Sequence, residues 1–180
     1  MLPAVNDLQA ALQRLVPGST ISVEGSALLI EAPHLHAVCR ALKESPDYQL
    51  DHVSNLTAVD YPPLPAAPTN VQQEENRNAP QAGRIEMIYH LDSTAKKHGP
   101  VTLKVKLPRG NPVVGSLVPL YRGAEYQERE VYDLYGVTFP GHPDLRRILM
   151  WEEFTGHPMR KDYLPEDQDA LDPSATWKSA

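Results

Sequence analysis

Two stretches of strict alternation constrain this chain more than any other feature. The sequence "RIEMIYHL" (84–91) carries apolar side chains at every second position, and "VTLKVKL" (101–107) repeats that pattern with Thr102, Lys104 and Lys106 in between. Successive side chains of a β-strand point to opposite faces, so this period predicts two strands with one buried face each. The nine-residue connector 92–100 is shorter than a parallel crossover requires, which predicts an antiparallel pair.

The other elements follow from helical periodicity and from turn residues. We predict a helix from Val5 to Leu15, with residues 5, 8, 12 and 15 on one face, and a second helix between Pro33 and Pro46. Strands are predicted near 19–24, 27–31 and 48–59, and helical structure over 113–121 and then up to Gly136. These elements indicate an α+β fold: a two-layer domain with a mixed or antiparallel sheet and helices on one face.

Proline divides the chain into its predicted parts. The 180 residues suit one domain, and the 18 prolines are about twice the usual share of about 5%. Five of them fall in 61–83, which predicts an exposed loop. Residues 137–173 follow neither period, and residues 164–180 carry four acids against one lysine. We therefore predict an α+β domain over 1–136 and an extended arm with an acidic tail over 137–180.

Composition excludes several function classes. A net charge of −6 argues against nucleic acid as a partner, because proteins that bind phosphate backbones carry a basic excess. No apolar run approaches the roughly 20 residues that cross a bilayer, and the start "MLPAVNDLQA" resembles no targeting peptide. Cys39 is the single cysteine, so the chain cannot supply the four thiolates of an iron–sulfur cluster. We expect a soluble protein of a reducing compartment.

A Gly-His-Pro motif occurs twice, in "GHPDLRR" (141–147) and "GHPMRK" (156–161), and each copy places an imidazole near basic side chains. His142 and His157 lie 15 positions apart, without the spacing of a zinc motif, although Asp144 and Glu152 could complete a ligand set. We favour turn residues over a metal site. An independent metal-dependent hydrolase that uses His142 and His157 remains the minor alternative.

A carboxylate pair lies on the last predicted helix. Glu130 and Asp133 are three residues apart and are expected to share a side, as in acid–base enzymes. Asp133 also falls in the last turn, where the helix dipole disfavours a negative charge. A cation is therefore expected nearby, either Arg129 or the Arg146-Arg147 pair returning from the arm. We favour an ion-pair cluster that pins the arm over a catalytic role.

The arm itself is rich in the residue types that anchor protein interfaces. An aperiodic, proline-rich segment cannot build a core of its own, so we predict that it docks on other proteins; the alternative that it folds back over its own sheet stays open. The anchoring residues are Arg146, Arg147, Met150, Trp151, Phe154, Met159, Arg160 and Tyr163.

The stretch "EREVYDLYGVTFPGHPDLRRIL" (128–149), followed by "GHPMRKDY" (156–163), resembles the 30 kDa-type (C-type) subunit of proton-pumping NADH:quinone oxidoreductase, respiratory complex I. The resemblance extends more loosely through the two alternating strands. It implies a structural, partner-binding role for Glu128, Arg129, Glu130, Asp133, Gly136, Gly141, His142, Pro143, Asp144, Arg146, Arg147, Trp151, Gly156, His157, Arg160, Lys161, Asp162 and Tyr163.

The resemblance implies an accessory, redox-centre-free and non-catalytic subunit of the peripheral arm, on the cytoplasmic face of a bacterial inner membrane. Such a subunit docks against the quinone-site and iron–sulfur subunits and meets the membrane only through the complex, which uses NADH, FMN, iron–sulfur clusters and quinone. Tyr121 and Tyr126 stand where the family commonly has tryptophan, and 61–83 is an unusual insertion. The equivalent subunit of an energy-converting hydrogenase, or of a ferredoxin- or plastoquinone-linked complex, therefore stays as the alternative.

Overall fold

The computed structural model describes residues 4–64 and 82–164; most of the predicted loop 61–83 and the acidic tail lie outside this range. No helix in the described residues is long and apolar enough to span a membrane. The elements in chain order are α1 (Val5–Leu15), β1 (Ile21–Glu24), β2 (Ala27–Ile30), a 3₁₀ turn (Ala32–His34), α2 (Leu35–Glu44), β3 (His52–Tyr61), β4 (Arg84–Ser93), β5 (His98–Pro108) and α3 (Ala124–Tyr135).

The five strands form one mixed sheet in the order β1-β2-β5-β4-β3. β2 and β5 are parallel, and the other neighbours are antiparallel, including the predicted β4–β5 pair. The alternating positions of β4 and β5 point into the core as expected, and all are at most 7% exposed. They are Ile85, Met87, Tyr89, Leu91, Val101, Leu103, Val105 and Leu107.

The helices α1, α2 and α3 contribute to one core on one face of the sheet, which confirms the α+β class. α1 buries Leu8 and Leu12, and α2 buries Leu35, Val38 and Leu42. Leu15 departs from the predicted apolar face of α1, since it is 52% exposed. It borders a groove between α1 and α2 instead of entering the core.

The prediction of a helix over 113–121 is wrong. Val113 forms an isolated parallel bridge with Thr138, and the backbone N–H groups of Val114 and Ser116 donate to the carbonyls of Thr138 and Pro140, at 3.1 and 3.0 Å. Pro112 and Pro119 lack the N–H that a helix needs. The segment pairs with the start of the arm, and helix α3 begins only at Ala124. The third strand likewise begins later than predicted, at His52, because residues 45–49 form a turn.

Two buried tyrosines on the core face differ in how their hydroxyls are satisfied. The Tyr121 hydroxyl lies 3.0 Å from the Leu50 carbonyl and 3.1 Å from that of Cys39. The Tyr89 hydroxyl is fully buried without a hydrogen-bond partner among the described residues, and burial holds its pKa well above the usual value. An unsatisfied buried hydroxyl costs about 1–3 kcal/mol.

We expect Tyr89→Phe to raise the free energy of unfolding by about 1 kcal/mol, because it removes the unsatisfied group and keeps the ring. Tyr121→Phe is the matched control and should lower it by about 1–2 kcal/mol, since it removes a buried hydroxyl that is hydrogen-bonded to backbone carbonyls. Urea denaturation of both variants measures the difference. Equal losses in the two would show that the Tyr89 hydroxyl has a partner, such as a buried water.

Candidate partner-binding site

The arm completes the C-terminal end of α3. The last four carbonyls of a helix have no partner within it. Here Gly136, in the left-handed conformation (φ 70°), donates its N–H to Tyr132 O at 2.9 Å. Met159 N–H donates to Leu134 O at 3.2 Å, and Arg160 Nε to Tyr135 O at 2.7 Å. The fourth carbonyl, that of Asp133, receives two donors from the arm.

Asp133, Arg147 and His157 form a cluster that we call the C-terminal clamp. Arg147 Nη1 lies 2.6 Å from Asp133 Oδ1, and Asp133 Oδ2 accepts three backbone N–H groups at 2.8–3.0 Å, from residues 148–150. The Asp133 side chain is fully buried. Burial acts to raise the pKa of Asp133, but the hydrogen bonds outweigh it and hold that pKa below its usual range. The clamp therefore contains an ionised carboxylate that orders the arm.

The two histidines of the repeated Gly-His-Pro motif form hydrogen bonds at opposite ends of α3. His142 accepts the N–H of Asp144 at Nδ1 and donates from Nε2 to Glu125 O at 3.0 Å. His157 donates from Nδ1 to Asp133 O at 3.1 Å, and burial lowers its pKa. These carbonyls are eight residues apart, a rise of about 12 Å along a helix.

One metal ion cannot bind both imidazoles across that separation, because its ligand distances are about 2 Å. No group of three His, Cys, Asp or Glu side chains suited to a metal occurs within residues 4–64 and 82–164. In this geometry His142 and His157 do not share one metal site, which the hydrolase alternative requires.

The Arg146-Arg147 pair is split. Arg147 turns inward to the C-terminal clamp, where its Nη1 and Nη2 also donate to Asp133 O and Gly156 O, both at 3.1 Å. Arg146 is 65% exposed and pairs with Asp144 at 2.9 Å, while its backbone carbonyl accepts from Arg129 Nε at 3.2 Å. Arg129 is buried, and its guanidinium approaches Asp144 at 3.8 Å.

Three acids of α3 lie in three environments. Glu130 is exposed and Asp133 is buried, so these two carboxylates, although three residues apart, lie in different environments. Glu128 is fully buried and accepts the Ser116 hydroxyl and the Leu117 N–H, each at 2.7 Å. Burial raises the pKa of Glu128. Because each carboxylate has its own surroundings, the helix does not form the paired arrangement of an acid–base centre.

A second cluster, the edge clamp, consists of Asp60, Arg109 and Asp162. Arg109 binds buried Asp60 through two hydrogen bonds of 2.6 and 2.9 Å, and its Nη1 donates to Asp162 Oδ2 at 3.0 Å. The Lys161 N–H also donates to Asp60 Oδ2 at 2.7 Å. The Arg109 guanidinium lowers the pKa of Asp60. This cluster fastens the end of the arm to β3 and β5.

Sequence analysis missed Asp60 and Arg109. The available signal was the alternation of β3, in which Asp60 continues the core-facing series Leu56 and Ala58. A carboxylate at a core position requires a charged or hydrogen-bonding partner. The partner, Arg109, could not be identified without the fold, because 49 residues separate the two.

The arm exposes large apolar side chains, which we call the arm patch: Leu149, Trp151, Met159 and Leu164, at 55, 63, 51 and 72% exposure. One of these side chains, Trp151, belongs to an aromatic stack. Trp151 meets Phe154 edge-on at 4.8 Å, and Phe154 stacks on Tyr163 at 5.9 Å between ring centroids. Arg147 lies 5.6 Å from the Phe154 ring, which connects the stack to the C-terminal clamp.

The remaining residues of the signature shape the turns. Gly141 and Gly156 both have a φ of 87°, and the Cβ of any residue at 156 would approach Tyr163 to 3.2 Å. Pro143 is exposed, and Lys161 contributes its backbone N–H rather than its side chain. The structure therefore gathers part of the signature around α3, while nine of its residues are exposed: Glu130, Gly141, Pro143, Asp144, Arg146, Trp151, Gly156, Lys161 and Asp162.

We expect Gly136→Ala to loosen the arm. A Cβ at this position would clash with the His157 ring, and a left-handed alanine costs about 1–2 kcal/mol by itself. Gly141→Ala has the same strain but no heavy atom within 4 Å, so it is the matched control. Gly136→Ala should destabilise the chain by about 1 kcal/mol more than Gly141→Ala, and hydrogen exchange of residues 137–164 should accelerate. Identical exchange in both variants would contradict a packing role for His157.

With this geometry established, comparison with known proteins identifies the family. The sequence profile of the family described as "Respiratory-chain NADH dehydrogenase, 30 Kd subunit" matches residues 28–169. The chain belongs to this family. The match covers α2, the last three strands of the chain, α3 and both clamps, so it spans the residues that define the site.

Curated relatives agree over most of their length. The C-type subunit of NADH-quinone oxidoreductase from Moorella thermoacetica is 42% identical over 154 residues, which cover 84% of this chain and 90% of that one. The protein of the same name from Roseiflexus castenholzii is 38% identical over 155 residues, with 86% and 79% covered.

Two solved structures share the fold. A trypsin-resistant fragment of Nqo5 superposes with a TM-score of 0.51 at 21% identity, covering 79% of this chain and all of the fragment. A chain of the membrane-bound sulfane sulfur reductase, an archaeal respiratory complex, gives a TM-score of 0.66 at 20% identity, covering 97% and 94%. At these identities the similarity concerns the fold.

Proposed function

We propose that this family member is the accessory 30 kDa-type subunit of a proton-translocating NADH:quinone oxidoreductase. It would dock in the peripheral arm against the subunits that frame the quinone site and carry iron–sulfur clusters. In this role the chain is non-catalytic and binds no cofactor, while the complex uses NADH, FMN, iron–sulfur clusters and quinone. The relatives at 42 and 38% identity are both named for this subunit, which supports the assignment.

One observation carries the docking role: apolar side chains are presented on a segment that is already ordered. Both clamps hold the arm through buried carboxylates, yet all four residues of the arm patch are more than half exposed. Interface anchors are aromatic and apolar groups of this kind, and an ordered segment loses less entropy on binding than a disordered one. The exposed Arg146 adds a cation at the rim.

The domain organisation and the location belong to the same proposal. Residues 1–136 form the α+β unit, and residues 137–180 form the arm that meets other subunits. The protein then lies peripherally on the cytoplasmic face of a bacterial inner membrane and contacts the membrane only through the complex. Limited proteolysis of the isolated chain should cut first in 61–83 or beyond the edge clamp, because the two clamps hold the arm up to Asp162.

The docking role can be tested by measuring which subunits co-purify with variants of this chain that carry substitutions in the arm. We expect the double variant Leu149→Ser, Met159→Ser to reduce the recovery of partner subunits with this chain at least tenfold, while the isolated chain keeps its unfolding midpoint, because both side chains are more than half exposed. Leu64→Ser is the control, because Leu64 is 56% exposed but lies outside the arm. Mass spectrometry identifies the subunits and separates an NADH-linked complex from a hydrogenase-type one.

Undiminished recovery with the double variant would refute docking through the arm patch. Arg146→Glu offers a second probe, since Arg146 is exposed and pairs with Asp144, whereas Asp133 is bound by Arg147. Arg147→Glu does not serve this purpose, because it would place a carboxylate against buried Asp133 and release the arm itself.

A further inference from the structure

A second surface, between α1 and α2, has the features of a binding groove. An open groove of about 790 Å³ lies between α1 and α2. Its lining includes small side chains from the two helices, Ala11, Ala37 and Ala41, and Leu15, which is 52% exposed. Alanines on facing helices leave the space that a third helix would need to approach closely.

Charges are ordered along this groove. Arg40 lies in the middle of α2, while Glu44 ends that helix and Asp47 follows in the next turn; all three line the groove and are exposed. None of them forms an ion pair within the part of the chain that the structure describes. The groove is thus positive at Arg40 and negative towards the end of α2, and a second cation, Arg14 in the last turn of α1, lines it as well.

We propose that this groove binds an amphipathic α-helix of a partner subunit, lying antiparallel to α2. A helix carries about half a positive charge at its N-terminus and half a negative charge at its C-terminus. In the antiparallel direction its C-terminal end lies beside Arg40, and its N-terminal end lies beside Glu44 and Asp47. The floor accepts apolar residues at positions i, i+3, i+4 and i+7, as in other helix-in-groove complexes.

The groove is about three helical turns long, since residues 36–47 of α2 and its following turn line it. That length matches a partner segment of about ten residues. The inference rests on the proposed function, in that it requires this chain to be part of an assembly, but it concerns a surface separate from the arm patch.

Cysteine protection in the assembled complex tests the proposal. Ala37→Cys places an exposed thiol in the groove, and Ser26→Cys, in the exposed β1–β2 turn, serves as the control. The native Cys39 is fully buried, so the reagent should not modify it in the folded protein. N-ethylmaleimide should modify the thiol at position 37 at least tenfold more slowly in the membrane-extracted complex than in the isolated chain, whereas the thiol at position 26 should react equally in both. Adding Arg40→Glu should restore at least part of the rate at position 37.

A photo-cross-linker at Ala41 identifies the occupant. A cross-link to a helical segment of another subunit supports the proposal, and equal maleimide rates in complex and isolated chain refute it. A cross-link to a second copy of this chain, or protection that already exists in the isolated chain, refutes it as well. Absence of this chain from the extracted complex would refute the proposed function, whereas a chain that is present but unprotected at position 37 refutes the groove alone.

Discussion

Asp133→Asn should lower the free energy of unfolding by about 3–5 kcal/mol at pH 7, the range found when one member of a buried ion pair is removed. The introduced asparagine could not neutralise Arg147, and its amide would oppose one of the N–H groups that now converge on Asp133. Domains of this size have about 5–15 kcal/mol of stability, so the loss is a large fraction. Urea denaturation measures it, and trypsin should cut rapidly after residues 146, 147, 160 and 161 once the arm is released.

Glu128→Gln is the matched control on the same helix. Glu128 is equally buried, but its pKa is raised and no salt bridge to it occurs in the described residues. A glutamine can accept the Leu117 N–H and donate to the Ser116 hydroxyl, so we expect a change of less than about 1 kcal/mol. A loss as large as that of Asp133→Asn would mean that removal of any buried carboxylate from α3 is destabilising, regardless of its partners.

The pH dependence of the two variants has opposite signs. The folded-state pKa of Asp133 is lowered, so its contribution is complete above the unfolded value of about 3.9 and is lost as pH falls through the lower folded value. The difference in the free energy of unfolding between the wild type and Asp133→Asn should therefore decrease below about pH 4. The pKa of Glu128 is raised, so the stability that this residue contributes is lost as pH rises. The free energy of unfolding of Glu128→Gln, relative to that of the wild type, should therefore be highest near neutral pH. A constant difference for Asp133→Asn at every pH would contradict an ionised Asp133.

Asp60→Asn should cost about 3 kcal/mol and detach the end of the arm. Buried Asp60 makes two hydrogen bonds to the Arg109 guanidinium and accepts the Lys161 N–H, and hydrogen bonds to charged groups contribute about 1.5–3 kcal/mol each. The asparagine can keep only part of this set. Denaturation gives the loss, and faster hydrogen exchange at residues 159–164 reports the detachment.

Asp162→Asn controls for the charge, because Asp162 binds the same guanidinium but its side chain is 64% exposed. Exposed ion pairs contribute about 0–1 kcal/mol, so this change should be small. Comparable losses in the two variants would assign the effect to the total charge around Arg109 instead of to the burial of Asp60.

The strands β4 and β5 and their inward face could be predicted from residue order alone. A period of two over residues 84–91 and 101–107 leaves no other regular element, and the short connector requires an antiparallel pair. The prediction of a helix over 113–121 could not be judged in this way, because the residues that satisfy the backbone of this segment, Thr138 and Pro140, belong to the arm. The parallel pairing of β2 with β5 similarly joins strands that are far apart in the chain.

Local chemistry also predicted that Asp133 needs a cation and that the arm carries one. Residue order is thus sufficient for the α+β class, the buried strand faces and the need for a charge near the end of α3. The three-dimensional packing selects Arg147 for this charge and turns Arg146 outward, places His142 and His157 at opposite ends of one helix, and brings Asp60 to Arg109. Periodicity and helix dipoles act within a few residues of the chain, whereas the choice among distant partners depends on which segments the fold brings into contact.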